Sequence, residues 1–287
     1  MTGAEIAAAG KAVEIIGRKA LDQDKETRDE LLQAAQGTPE FKAAARTAAA
    51  RIAVKERIKL KLYQPFARMI GVSQAYFEDV FPEEMAAKTA HIPDEHLITP
   101  AASVAVPAMQ GLSYSFDEPD LRELYLNLLT TATDDRRTDD AHPAFAEVIK
   151  QLSARETTLL NAVLTQASVS IVKLVNTKED GGRQNVIKHL MGIHDDANRP
   201  LEVPQVPSWV DNWNRLGLVN VSYMEWFSDD RRYDWVTARP EYVRSKQDPT
   251  IEHLDIDKGT LTRTAFGERF FRAVSPPSTI DGISTNS

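Results

Sequence analysis

Charge is segregated along this 287-residue chain, and the segregation limits what the chain can fold into. From Lys42 to Arg68 eight basic residues stand against one acid, Glu56, for a local charge of +7. From Gly71 to Lys150 five basic residues stand against fifteen acidic ones, for a local charge of -10. From Gln151 onward the balance is nearly even, 16 against 18. Three blocks of such different electrostatics predict at least two structural units. Hydrophobic residues make up 42% and charged residues 26%, the balance of an ordinary globular protein, and the net charge of -8 argues against a chain-wide grip on nucleic acid. The chain has no Cys, which excludes disulfides, Cys zinc sites, iron–sulfur clusters and thiol nucleophiles. Met1 to Lys11 lacks the basic and apolar regions of a secretory signal, and no 18-residue uncharged apolar run occurs, so a cytoplasmic location is expected.

Four regions follow: an Ala-rich helical part over 1–90, an acidic helical core over 91–152, a third region over 153–274 and a disordered tail over 275–287. In the first, Thr38, Pro39 and Glu40 supply an N-cap, a first-turn Pro and a first-turn acid for a helix that lasts until the Gln64-Pro65 step. Arg51, Lys55 and Lys59 recur at four-residue spacing on it, a basic ridge beside Ile52, Ile58 and Leu62. The second region opens with a connector from His91 to Pro107, in which Pro93, Pro100 and Pro107 disfavour a long regular element. Asp117 and Asp120 then cap a helix with Leu121, Leu124, Leu128 and Ala132 along one buried stripe, and a polar loop from Thr133 to Asp140 ends it. Pro143 starts a further helix that turns Phe145, Val148, Ile149 and Leu152 to a core.

The third region begins at a capping box, Ser153 with Glu156, ahead of Leu159, Leu160, Val163 and Leu164. Ser208 caps a helix through Trp209 and Trp213 that stops at Gly217, and Leu218 to Trp226 alternates like a strand. Thr260 to Thr262 reads as a last strand leading through the N-cap Thr264 into a helix with Phe266, Phe270, Phe271 and Val274. Helix, helix, hairpin, strand and closing helix outline a winged-helix-like α+β domain behind mainly α-helical N-terminal and central regions.

The stretch from Ile92 to Ser153 carries a resemblance. Its features are Ile92-Pro93, then Val106-Pro107-Ala108 before Leu112-Ser113-Tyr114, and Leu121-Arg122-Glu123-Leu124 with Asn127-Leu128-Leu129. Ala141-His142-Pro143, leading to Ile149-Lys150-Gln151-Leu152-Ser153, completes the set. At this spacing the stretch resembles the central segment of the bacterial abortive-infection alpha family. A weaker likeness continues through Arg215-Leu216-Gly217-Leu218 and from Leu261-Thr262 to Gly267, about two thirds of the chain in all, with the first seventy residues matching least. The resemblance implies a part in defence against phage, in which infected cells stop growing or die. It brings no catalytic residues.

Chemical sites are weighed against plainer readings. His142, with Asp134, Asp135, Asp139 and Asp140 nearby, has the residue types of a metal ligand or general base, but the spacing fits no binding loop, and an ordered turn before the Pro143 helix is preferred. His189 and His194 are five apart, about 140° on a helix, so a polar loop after Gly192 is expected there instead of a metal pair. No Gly-x-Ser-x-Gly elbow, P-loop or Gly-x-Gly-x-x-Gly occurs, and Gly181-Gly182 lacks the Lys and Ser/Thr of a phosphate cradle. No cofactor is therefore expected.

All four tryptophans lie between Trp209 and Trp235, with Arg231 and Arg232 at the tip of the expected hairpin. Aromatic and Arg side chains anchor protein interfaces, and they equally fill a small core. The basic ridge likewise fits a solvated face, a partner for the acidic block, or a surface for nucleic acid or, weakly, an anionic membrane. The leading reading is a non-enzymatic defence protein that recognises a phage or host protein through Trp226, Trp235, Arg231, Arg232, Arg51, Lys55 and Lys59. Against it stand a winged-helix nucleic-acid-binding regulator, with Ser208 to Leu216 in the major groove, and a metal-dependent hydrolase using the His142 loop.

Overall fold

A computed structural model describes residue 76 and residues 80–115 and 117–276. The basic ridge residues Arg51, Lys55 and Lys59 and the tail beyond Pro276 lie outside these. The chain divides into two units, Met1–Pro93 and Asp94–Ser287.

In the first unit the described helix, α1 (Phe81–Thr89), has Pro82 and the acids Glu83 and Glu84 in its first turn, as the helix dipole favours. Phe81 and Met85 are buried, and the Thr89 hydroxyl donates back to the Met85 carbonyl.

The second unit is helical in its first half and α+β in its second. A short 3-10 turn (Asp94–His96) precedes α2 (Ala102–Leu112), α3 (Pro119–Thr133), α4 (Ala144–Lys150) and α5 (Ala154–Leu164). Then come β1 (Ser168–Thr177), β2 (Arg183–Met191), α6 (Val206–Arg215), β3 (Val219–Ser222), a 3-10 helix (Asp230–Ala238), α7 (Pro240–Gln247), β4 (His253–Arg263) and α8 (Ala265–Val274). The strands form one antiparallel sheet in the order β2-β1-β4-β3.

α3 is the hub. Its expected stripe of Leu121, Leu124, Leu128 and Ala132 is buried, and so are Tyr125, Leu126 and Leu129, because α2, α4, α5 and α8 all pack on it. Polar atoms on α3 are used rather than hidden. A helix leaves its last carbonyls without partners, and those of α8 are met from α3. Asn127 Nδ2 donates to the Val274 carbonyl at 2.8 Å, and Thr131 Oγ1 to that of Ala273 at 2.9 Å. Arg137 donates to the Arg272 carbonyl at 2.6 Å. The acidic block and the closing helix, more than 130 positions apart, are thereby parts of one core.

Several local expectations hold. Ser153 and Glu156 form the capping box, with the Ser153 amide 2.6 Å from the carboxylate. Thr264 caps α8 by accepting from the Gly267 amide, and Gly217, at φ +75, ends α6. Phe145, Val148, Ile149 and Leu152 are all buried.

Others are corrected. Pro107 lies inside α2 instead of ending a connector. A helix-interior Pro costs about 3 kcal/mol, but Val104, Met109 and Leu112 are fully buried on that helix, and burial at roughly 1.5–3 kcal/mol per large apolar side chain outweighs it. Asp117 and Asp120 do not cap α3, since its N-cap is Glu118 and Pro119 fixes the entry. α6 begins two residues before Ser208, whose hydroxyl turns back to the Gln205 carbonyl. β3 stops at Ser222 rather than running to Trp226, because the Ser222 hydroxyl accepts the Met224 amide and turns the chain out of the ladder. Arg231 and Arg232 are not at a hairpin tip. They belong to the 3-10 helix, which Asp229 caps by accepting from the Arg231 amide. β3 and β4 are thus joined through that helix and α7, and the region is an α+β structure on a four-stranded antiparallel sheet. No helix among the described residues is long and apolar enough to cross a membrane.

Candidate interaction surface around Trp235

One face of the sheet turns Val172 and Leu174 of β1 and Leu190 of β2 against Tyr233 and Val236 of the 3-10 helix. Tyr233 and Val236 fall three apart, the repeat of that helix, so both point inward. Trp235, between them, points along the edge of the layer. Its indole Nε1 donates to Ser170 Oγ at 3.1 Å and to the Arg232 carbonyl at 2.9 Å, while Ser170 Oγ donates to the same carbonyl at 2.7 Å. The ring lies against the backbone of Gly192, where an added Cβ would come within 3.0 Å of Trp235 Cγ. Trp235 is therefore held in one orientation from three sides.

Around it opens a groove of about 550 Å³. Leu159 and Val163 of α5, Met191 at the end of β2 and Ile193 beyond it give it apolar walls, and Arg231 and Arg232 stand at its rim. The two arginines differ. Arg231 is 84% exposed but chelated by Asp229, with Nε and Nη2 both at 2.9 Å. Arg232 sits over Phe227, its guanidinium carbon 3.7 Å from the ring centroid, and donates to the Ser168 carbonyl at 3.4 Å. Among the described residues no carboxylate forms an ion pair with it, although its charge, after that of Arg231, helps to hold the Asp229 carboxyl below its ordinary pKa. A guanidinium with unused donors held over an aromatic ring is pre-oriented for an incoming carboxylate or phosphate.

The structure thus brings Trp235, Arg231 and Arg232 together and leaves Trp226 apart, 59% exposed on the loop after β3 beside the exposed Met224. Trp209 and Trp213 belong to α6, where Trp213 is fully buried. Sequence reasoning did not find Ser170 or Gly192 as parts of the surface. No motif marks them, since both matter only through contact with a ring more than forty positions away.

The His readings resolve differently. At His142, Nδ1 accepts the Ala144 amide at 3.1 Å and the ring packs on Phe145 and Phe266, so it orders the turn before α4. The loop expected after Gly192 is present and holds His194, whereas His189 precedes it, buried in β2 with φ 53. Its Nε2 is 3.1 Å from Asp211 Oδ1, its Nδ1 is 2.9 Å from Tyr223 Oη, and its backbone amide also donates to that hydroxyl at 3.1 Å. Because Nε2 faces a carboxylate, it carries the proton, and Nδ1 accepts from the tyrosine. Burial holds the imidazole below its ordinary pKa despite Asp211, and burial pushes the Tyr223 hydroxyl up to about 12. Among the described residues no group of three or more His, Cys, Asp or Glu side chains is placed to hold a metal ion.

A pH dependence follows. The unfolded imidazole takes up its proton near pH 6.5, while the folded one resists until lower pH. Stability from this site is complete above about pH 6.5 and falls as pH drops from there through the lower folded value. Urea midpoints at pH 7.5 and 5.5 test this: the wild type is expected to lose more on acidification than His189→Gln, and equal losses would refute the assignment.

No curated protein and no solved structure matches the chain. A family model described as abortive infection alpha matches residues 73–274, a stretch that takes in α3, the sheet and α8 and therefore the whole scaffold of the Trp235 groove. With well over half of its length matched by that model, the chain belongs to the abortive infection alpha family.

Proposed function

We propose that this protein is a phage-defence component that acts by recognising another protein at the Trp235 groove, without catalysis of its own. The family supports the abortive-infection role. The observation that supports recognition is Arg232, a guanidinium over Phe227 that forms no ion pair with a carboxylate among the described residues, at the rim of an apolar groove with a locked Trp. That combination suits a phage or host protein presenting an apolar segment with an acidic residue, since aromatic and Arg anchors in partly desolvated settings dominate interface energetics.

The nucleic-acid reading would treat 153–274 as winged-helix-like and α6 as its reading helix. Two features weigh against it. Arg215, the basic residue of α6, is engaged by Gln151 and Asn212, and Asp211 on the same helix is held by His189. The test is plaque formation by a phage panel on cells producing the full chain, with survival of infected cells scored alongside. Trp235→Ala and Arg232→Glu are expected to abolish protection while circular dichroism and expression stay unchanged. A Trp truncation at such an anchor costs at least about 2 kcal/mol, more than tenfold in affinity. Full protection by both folded variants would sink the surface, and salt-dependent duplex DNA binding lost in Arg215→Ala would favour the regulator instead.

A further inference from the structure

We propose that the free edge of β2 takes up a short extended segment of a partner protein by strand addition, with an apolar side chain in the adjoining cleft and a carboxylate opposite Lys188. This site adjoins the Trp235 groove, with which it shares Met191 and Ile193, but Trp235 itself is not part of it. β2 is an outer strand, and among the described residues no strand lies on its far side. Such an edge has backbone donors and acceptors without a ladder partner, apart here from the His189 amide, which Tyr223 Oη takes.

Beside that edge runs a cleft of about 410 Å³, lined by the consecutive residues Val186 to Met191. Its other walls are Ile193 and Glu202 to Pro204, from the segment after β2, together with residues from both faces of the sheet. Val206 and Pro207 belong to α6, which lies on the Tyr223 face through the Asp211–His189–Tyr223 chain. Arg239, Glu241 and Arg244 come from the opposite side, where Tyr233, Val236 and Tyr242 cover the sheet. Neighbouring strand residues face opposite ways, so a cleft walled from both faces sits on the backbone edge, not on one face.

Apolar surface is exposed at the rim, with Val186 at 36%. Charge at the edge is nearly settled. Arg244 is bound by Glu202 at 2.7 and 2.8 Å, and Arg239 by Glu241 at 2.6 Å. Lys188, exposed and without a partner among the described residues, is the cation left over, and its complement is an acidic side chain. Main-chain bonds to an edge strand give such a complex affinity, and a side-chain pocket gives it selectivity. The ladder between β1 and β2 slips twice, between Val172 and Leu174 and between Leu174 and Val175. Irregular edges pair poorly with long strands, which keeps this one from templating aggregation and limits the guest to a few residues.

The probe is a set of fluorescein-labelled octapeptides of alternating Val and Ser, carrying one Phe and one Glu at permuted positions, titrated into the full chain by fluorescence anisotropy. At least one peptide is expected to saturate and to slow amide exchange over Val186 to Lys188. Lys188→Glu is expected to weaken it at least tenfold, and Val186→Pro, which spoils the edge, to abolish it. Lys188 is exposed, so its variant remains informative even if the Pro variant misfolds. Trp235→Ala is expected to leave this binding unchanged, which separates the edge from the groove. Absence of binding by every peptide, equal binding by both β2 variants, or loss of binding in Trp235→Ala would each overturn the proposal. β2 protection that grows with protein concentration alone would overturn it in favour of a second copy of this chain.

Discussion

Trp213→Ala is expected to destabilise the C-terminal unit by about 5 kcal/mol, the upper end of the range for emptying a buried indole. The side chain is fully buried between α6 and the helical core, and its Nε1 donates to Glu156 Oε2 at 2.9 Å. Glu156 is itself buried and uses its other oxygen, Oε1, on the Ser153 amide as half of the α5 capping box. One carboxylate therefore joins the start of α5 to the middle of α6. Removing the indole leaves a cavity and also strips a donor from the buried carboxylate, which accounts for about 1–3 kcal/mol of that total. Trp213→Phe keeps most of the volume and loses only the donor, so it should cost about 2 kcal/mol. Urea unfolding with an unchanged m-value measures both. A double-mutant cycle with Glu156→Gln should show coupling, since Gln has one acceptor oxygen for two donors. A loss under about 1 kcal/mol for Trp213→Ala would contradict the packing described.

That Glu156 link was half legible. Ser153 followed three residues later by Glu156 announces a capping box, because both partners lie within one turn. The bond to Trp213 spans 57 positions and leaves no local trace. The same division explains the rest. The ends of α4, α5 and α8 are set by neighbours in sequence, Pro143, Ser153 and Thr264, and were readable. Pro107 misled because a local cost was outweighed by burial against α3.

The β1–β2 hairpin is the largest element that sequence reasoning passed over, although its signals were local. Ser168 to Val175 is rich in β-branched residues, and Asp180-Gly181-Gly182 makes the turn, with Gly181 at φ +84 and the Lys178 amide bonded to the Gly182 carbonyl. Weighed only as a phosphate cradle, those glycines were not weighed as a turn. Clustering of the tryptophans marks the stretch from which Trp235 enters the proposed groove. Which ring faces outward could not be read, since Trp226 and Trp235 differ in where the 3-10 helix and Gly192 place them, not in their neighbours.

Arg239→Met is expected to cost about 3–5 kcal/mol, the range for removing one partner of a buried ion pair. Arg239 is 1% exposed, and all three of its guanidinium nitrogens donate. Nε and Nη2 grip the Glu241 carboxylate at 3.0 and 2.6 Å, Nη1 donates to the Ile193 carbonyl at 2.7 Å, and Nη2 to that of Leu201 at 3.0 Å. Those two carbonyls belong to the ends of the 193–201 loop, already closed by the Leu201 amide on the Ile193 carbonyl. The loop borders both proposed surfaces, with Ile193 lining the Trp235 groove and the β2 cleft alike. Arg239→Lys should cost nearly as much, because a single ammonium cannot span a carboxylate and two carbonyls in the geometry of a planar fork. Arg239→Met with Glu241→Met should recover part of the loss, since no uncompensated charge is then buried, but not all, since the carbonyls still lack donors. Hydrogen exchange across 193–201 distinguishes the two contributions. Fast exchange in both the single and the double variant assigns the loop's order to the carbonyl bonds, whereas protection restored in the double variant would mean that the buried charge alone had disturbed it. If the single variant unfolds in urea like the wild type, Arg239 does not fasten the loop at all, and both surfaces would have to keep their shape by another means.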